Sequence, residues 1–241
     1  MSLQGAAFLC IWNDHDPDQA PEYEAWHTFE HVPERVCVPG FLSGRRYAGY
    51  DRAESRYFTL YDIASLEVLE TPQYRELQDN PTPWSRKMRL AFRNFLRIPC
   101  LTIASQGDGC AGAIGTLVFK AERGAGDAVA ALQARLRVML GEHALTAYHL
   151  GRAPVIPAYA VFGTPADRDE AAETYVLMVE GLLTADTDLA LSAIATLLPE
   201  IFARPQLMKH ESSGFLFKVQ ENELVGSALK RGAAADCRSS A

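Results

Sequence analysis

The chain has 241 residues, 48% of them hydrophobic, and a formal net charge of -7, which suits one large soluble domain or two small ones packed together. The acidic balance argues against nucleic-acid binding, which needs a basic face, and no basic block points to an anionic membrane surface. No apolar stretch reaches the roughly 20 residues that cross a bilayer, the N-terminus lacks the pattern of a secretion signal, and a cytoplasmic location is the default expectation. The five cysteines are odd in number and show no CxxC or zinc-ribbon spacing, so neither a disulfide framework nor a structural metal is expected.

In chain order, Ala6 to Asn13 reads as a half-buried strand. Asp14 to Asp18 breaks it, and Pro21 suits the first turn of a helix. Tyr23, Trp26 and Phe29 recur at helical spacing, and Pro33 makes continuation past Val32 uncertain. Pro39-Gly40 is a turn. Phe41 to Tyr50 and Arg56 to Ile63 read as a strand pair. Leu66 to Leu77 begins a second helical region, interrupted at Asn80 to Pro83. Trp84, Met88 and Phe92 extend the helical spacing, and Phe95 to Ala104 is a closing strand. Ser105 to Gly112 is the candidate linker.

A second series follows. Ile114 to Lys120 is a strand, and Asp127 to Leu140 an amphipathic helix. Leu145 to Leu150 and Thr174 to Leu182 are strands, joined by a long proline-containing connection that would serve as a lid or hold a further strand at Tyr159 to Phe162. Asp188 to Phe202 is a helix and Gly214 to Val219 the last strand. The tail 226–241 is small and polar, and poor order is expected there. Residues 1–106 and 112–225 therefore each read as a βαββαβ, ferredoxin-like unit. Strands such as Phe8-Leu9-Cys10-Ile11 are apolar on both alternating faces. Covering both is favourable at about 25 cal/mol per Å², so the two sheets should face each other in an α+β barrel-like pseudo-dimer.

The two units are unequally equipped. The first carries Trp26-His27-Thr28-Phe29-Glu30-His31, where the second has Ala-Leu-Gln-Ala-Arg. His27 and His31 are four apart and share a helix face. With Glu30 and Glu34 nearby, this spacing would suit a metal held by two imidazoles and a carboxylate, but there is no HExxH order and no third ligand, and no metal site is assigned. Acid–base work is the better reading, because imidazole titrates near neutrality and a cleft can tune it. Arg45 and Arg46 must point to opposite faces of their strand; one of them, taken as Arg46, could bind a carboxylate or enolate oxygen in the cleft. The alternative is an ion pair with Glu30, Glu34 or Asp62. Trp26, Tyr47, Tyr61 and Trp84 could line a pocket for a planar ligand, or be core. Asn13 offers an amide at a strand end.

The segments Trp26-His27, Glu30 to Arg35, Val38 to Phe41 and Gly44 to Tyr47, with Tyr57 to Tyr61 and Pro81 to Trp84, resemble the EthD-like group of dimeric α+β barrel proteins over most of residues 5 to 105. The second half resembles it in element order only. The resemblance implies a cleft between helices and sheet for a small aromatic or cyclic ligand; members oxygenate, cyclise, isomerise or bind haem, so fold alone does not name a reaction. The expectation is a small-molecule-binding protein, with histidine acid–base chemistry on a cyclic or aromatic carbonyl compound and no cofactor, as an isomerase, cyclase or monooxygenase-like enzyme. Two alternatives stay open: a non-catalytic binding or assembly protein that pairs as a homodimer, and a haem protein with His149 as axial ligand.

Overall fold

The computed structural model describes residues 3–153, 156–163, 166–167, 169 and 171–224; the expected disordered tail, 226–241, lies outside them. The first half runs β1 (Ala7–His15), helix α1 (Ala20–Trp26), a π-helical turn (His27–His31), α2 (Val32–Val36), β2 (Phe41–Ala48) and β3 (Tyr57–Ile63). It continues through α3 (Pro72–Asp79) and α4 (Pro83–Arg89) to β4 (Phe92–Gly107). The second half is β5 (Ala113–Glu122), α5 (Gly126–Gly141), β6 (Ala147–Ala153), β7 (Ala172–Gly181), α6 (Thr184–Ile201) and β8 (Gln206–Gln220).

All strand pairings are antiparallel, and the sheet closes on itself in the order β1-β3-β2-β8-β5-β7-β6-β4. Each half supplies four neighbouring strands. The seams are β2 with β8, where Arg46 lies opposite Phe217, and β4 with β6, where Thr102 lies opposite Gly151. The two ferredoxin-like sheets thus meet edge to edge as well as face to face, as in dimeric α+β barrels, and closure removes every free edge.

Closure explains the two-sided hydrophobicity of the strands. Phe8, Cys10 and Trp12 of β1 point into the barrel with Tyr47, Phe58, Leu60, Ile114, Val118 and Met178. Ala7 and Leu9 point outward to Val32, Val36 and Tyr61 under the first helix layer. Over the second half, Leu132 and Leu136 of α5 and Leu191, Ile194 and Leu198 of α6 cover Leu117, Phe119, Leu150 and Leu177. Gly44 lets α2 approach β2 closely: a Cβ there would lie 2.6 Å from Val32 Cγ1.

Several local expectations are corrected. The helix does continue past Val32. Proline cannot supply an N–H to the turn before it, and here the chain widens into a π turn in which the Val32 N–H reaches the His27 carbonyl, with Pro33 in the first turn of α2. Phe92, read with the helix, starts β4, because α4 ends at Arg89. Residues 160–162 form a 3-10 turn rather than a strand. β8 begins at Gln206, eight residues before the expected Gly214, since its first half is largely water-exposed and lacks a buried stripe.

Inside the barrel, Arg45 is 2% exposed and donates to Glu180 Oε1 at 2.8 Å across the two halves. His149 meets the same oxygen at 2.9 Å, and the Ala111 N–H donates to Glu180 Oε2. Burial raises the Glu180 carboxyl, but the His149 hydrogen bond and the Arg45 charge more than offset this and hold it below the usual range. Removing one partner of such a pair strands a buried charge, which costs about 3–5 kcal/mol. Arg45→Met should therefore lose about that much in urea denaturation, and a loss below about 1 kcal/mol would show that the pair does not hold the halves together.

Candidate functional site

The first helix layer stands over the outer face of β1–β4, and a cavity of about 30 Å³ lies between them. Its walls are strongly aromatic: Trp26 from α1, Tyr61 from β3, Tyr74 from α3, and Phe92 and Phe95 from β4. Tyr159 and Phe162 reach over from the β6–β7 connection of the other half. Phe162 packs against Phe95 and Phe92 with ring centroids 4.3 and 5.1 Å apart, and Tyr159 stacks on Phe95 at 5.6 Å. Space of this size admits a water or two; a planar ligand needs these rings to shift.

The π turn brings His27 and His31 together as stacked rings, 5.1 Å apart and 24° between planes. A π turn inside a helix commonly marks a functional site, and both histidines line the cavity. Trp26 packs on His31 at 4.5 Å. Trp26 Nε1 donates to Ser85 Oγ of α4 at 3.1 Å, which fixes the indole. His27 Nδ1 lies 3.4 Å from Tyr23 Oη, which Asn13 Nδ2 approaches at 3.0 Å. Asn13 thus joins the cavity wall at the end of β1.

Burial drives His27 well below its ordinary value of 6.5, reinforced by the charge of Arg46. Burial does the same to His31, with the charges of Arg35, Arg89 and Arg46 adding. Both rings are therefore neutral at pH 7. His31 Nδ1 and Tyr61 Oη are buried without a hydrogen-bond partner, and both residues face the cavity. Burial pushes the Tyr61 hydroxyl up, so it stays protonated as a donor.

The remaining residues singled out in the sequence lie elsewhere. Arg46 faces the helix layer but is held by α1, donating to Glu24 Oε2 at 2.8 Å and to Thr28 Oγ1. Its carboxylate partner is Glu24 rather than Glu30, Glu34 or Asp62, and it does not line the cavity. Arg45 points the opposite way, as strand geometry requires. Tyr47 points into the barrel, where its hydroxyl lies 3.9 Å from Cys110 Sγ. Trp84 packs on the outer cluster of Tyr23, Trp26 and Met88, outside the cavity lining. Glu30 accepts hydrogen bonds from Thr82 and Ser85 instead of pairing with a histidine. Among the described residues no three His, Cys, Asp or Glu side chains gather as metal ligands, and no helix is long and apolar enough to cross a membrane.

His149 is fully buried inside the barrel, with Nδ1 on Ser105 Oγ at 2.8 Å and Nε2 on Glu180. With both ring nitrogens engaged in a packed interior, its surroundings do not fit haem ligation. In the second half the space between helices and sheet is filled by aliphatic and aromatic side chains.

The sequence reading missed Arg35 and Arg89, which line the cavity. Arg35 was legible in principle: His27, His31 and Arg35 follow at four-residue steps along one helix face. Tyr159 and Phe162 had no local signal, because they reach the site from the opposite half.

No protein-family model and no curated protein matches the chain in sequence. Solved structures share its fold. An anthrone oxidase-like protein superposes with a TM-score of 0.60 at 14% identity, covering 98% of this chain and 99% of the other. A provisionally named monooxygenase from Lactobacillus acidophilus NCFM gives 0.52 at 7% identity over 89% and 96%. A mutant form of chlorite dismutase from Candidatus Nitrospira defluvii gives 0.51 at 9% identity over 92% and 94%. At such identities the likeness is one of fold.

Histidines kept neutral by burial make stability depend on pH in a definite direction. Below about 6.5 the unfolded chain takes up protons that folded His27 and His31 refuse, so stability is full above that pH. It falls as pH drops toward their depressed folded values, by about 1.4 kcal/mol per pH unit for each proton of difference. Denaturant unfolding between pH 7.5 and 5 should show this slope, and His27→Gln and His31→Gln should each flatten it. An unchanged slope in both variants would mean that the rings are not held neutral.

Proposed function

We propose that the cavity binds a small cyclic or aromatic carbonyl compound, and that a neutral histidine moves a proton on it without a cofactor. The observation that carries this reading is the pair of buried, unpartnered polar atoms, His31 Nδ1 and Tyr61 Oη, on the walls of one aromatic-lined cavity. Leaving such atoms unsatisfied costs about 1–3 kcal/mol each, a cost that a ligand with matching groups removes.

His31 is the proton acceptor in this scheme, since its Nδ1 carries a free lone pair in the neutral tautomer that faces the ligand. It takes a proton from the carbon next to the carbonyl. The C–H electrons move onto the carbonyl oxygen, and the Tyr61 hydroxyl donates a hydrogen bond to the enolate that forms. A depressed pKa weakens the histidine as a base, but the imidazolium is formed beside a new anion, which offsets that loss. Asn13 and Tyr23 orient His27, and Arg46 ties α1 to β2 beneath the histidines. Proton transfer of this kind can open isomerisation, cyclisation or oxygenation of such compounds. The anthrone oxidase-like name of one fold relative suits a planar cyclic ketone. We read residues 1–106 as the unit that holds the site and 112–225 as a unit that has lost its counterpart.

The small volume of the cavity, about 30 Å³, favours a second reading: a binding or assembly protein whose cleft is filled by its own side chains. Deuterium exchange separates the two. Anthrone kept under argon in D2O should lose its C–H signal by NMR faster with the protein than without it, and His31→Gln should reduce the protein-dependent rate at least tenfold. No acceleration by the wild-type protein would sink the enzymatic reading and leave the binding one.

A further inference from the structure

Three arginines crowd one end of the cavity region. Arg35 (α2) and Arg89 (α4) line it, and Arg97 (β4) lies behind Tyr74 and Tyr159. Arg35 and Arg89 both donate to the Leu77 carbonyl near the end of α3, at 3.4 and 2.8 Å, and Arg89 also donates to the Gln78 carbonyl at 2.7 Å. Arg97 donates to Tyr74 Oη at 3.5 Å and stands over the Tyr159 ring. These bonds go to carbonyls and a phenol instead of carboxylates. The charge of Glu34 reaches Arg89, one carboxylate against three guanidinium groups, which outnumber it by two.

The excess shows in neighbouring groups. The Tyr74 hydroxyl, which burial alone would raise, is lowered by Arg97 and Arg35, and Arg89 is lowered by burial and by the charge of Arg35. Arg35 is 4% exposed, and its Nη1 is buried with no hydrogen-bond partner. A buried guanidinium with a free N–H on a cavity wall is matched by an anion that offers oxygen in the plane of the fork.

We propose that Arg35, backed by Arg89, recognises a carboxylate, so that the ligand of this cavity is an aromatic or cyclic carbonyl compound that carries a carboxylate group. The inference rests on the small-molecule reading of the same cavity. In this arrangement the ring system lies among Trp26, Phe92 and Phe162, the carboxylate meets Arg35, and the carbonyl lies toward Tyr61 and His31. The carboxylate neutralises part of the arginine charge and fixes which end of the ligand meets the histidine.

The test is calorimetric titration of the full chain with 2-naphthoate and with its methyl ester, which share a ring system and differ in charge. The naphthoate should bind at least tenfold more tightly, and added salt should weaken the naphthoate but not the ester. Arg35→Gln should bring the two affinities together, with circular dichroism to show that it is folded; Arg89→Gln, a more exposed position, should narrow the gap. Equal affinities in the wild-type protein would overturn the carboxylate assignment and leave the cavity as a ligand site. A preference that persists in folded Arg35→Gln would overturn the role of Arg35. Binding of neither compound would overturn this assignment together with the small-molecule reading.

Discussion

Closure of the eight-stranded barrel is the constraint on which the rest of the molecule depends. Once β2 pairs with β8 and β4 with β6, the two sheets close into one barrel with an inner and an outer face. The inner face packs against the inner faces of the other half, and the outer face needs helices. The barrel interior is packed with side chains such as Trp12, Tyr47, Phe58 and Met178, and a buried ion pair within it, Arg45 with Glu180, is itself a bridge between halves. With the interior filled, the layer between helices and sheet is where ligand space can arise. It does so over the first half, where polar tips among aromatic rings replace the close packing of the second.

The same closure couples the halves at the site. Tyr159 and Phe162 belong to the second half by sequence but pack on Phe92 and Phe95 and form part of the cavity wall of the first. An isolated first half would lack those walls and would expose two sheet edges. The cavity is therefore a property of the whole chain, although both of its histidines and Arg35 come from the short stretch of the π turn and α2.

How much of this could be read from residues alone follows from the range of the forces involved. The βαββαβ order and the covering of both sheet faces were legible because alternation and helical spacing are local signals. The cluster Trp26, His27 and His31 was legible because helix spacing fixes which side chains share a face. The direction of Arg45 and Arg46 was not, since a shift of one residue exchanges the two faces of a strand and a register shift between Phe41 and Ser43 precedes them in β2. Tyr47 went into the barrel by the same alternation. The early part of β8 was hidden because its residues are half in water, and Tyr159 because its partners lie more than sixty residues away in the chain.

The π turn at His27–His31 has an evolutionary consequence. A π turn holds one more residue than an α turn, and each helical residue advances the chain by about 100°. Deleting a single residue between His27 and His31 would be absorbed within that turn: the Val32 N–H would still reach the His27 carbonyl, now as an ordinary α-helical bond, and α2, Arg35 included, would keep its facing. A single-codon change there is thus confined to the turn that carries the two histidines. Such a single-codon insertion or deletion offers one structural route by which an ancestral helix could gain, or a descendant lose, a ligand site on an otherwise unaltered barrel.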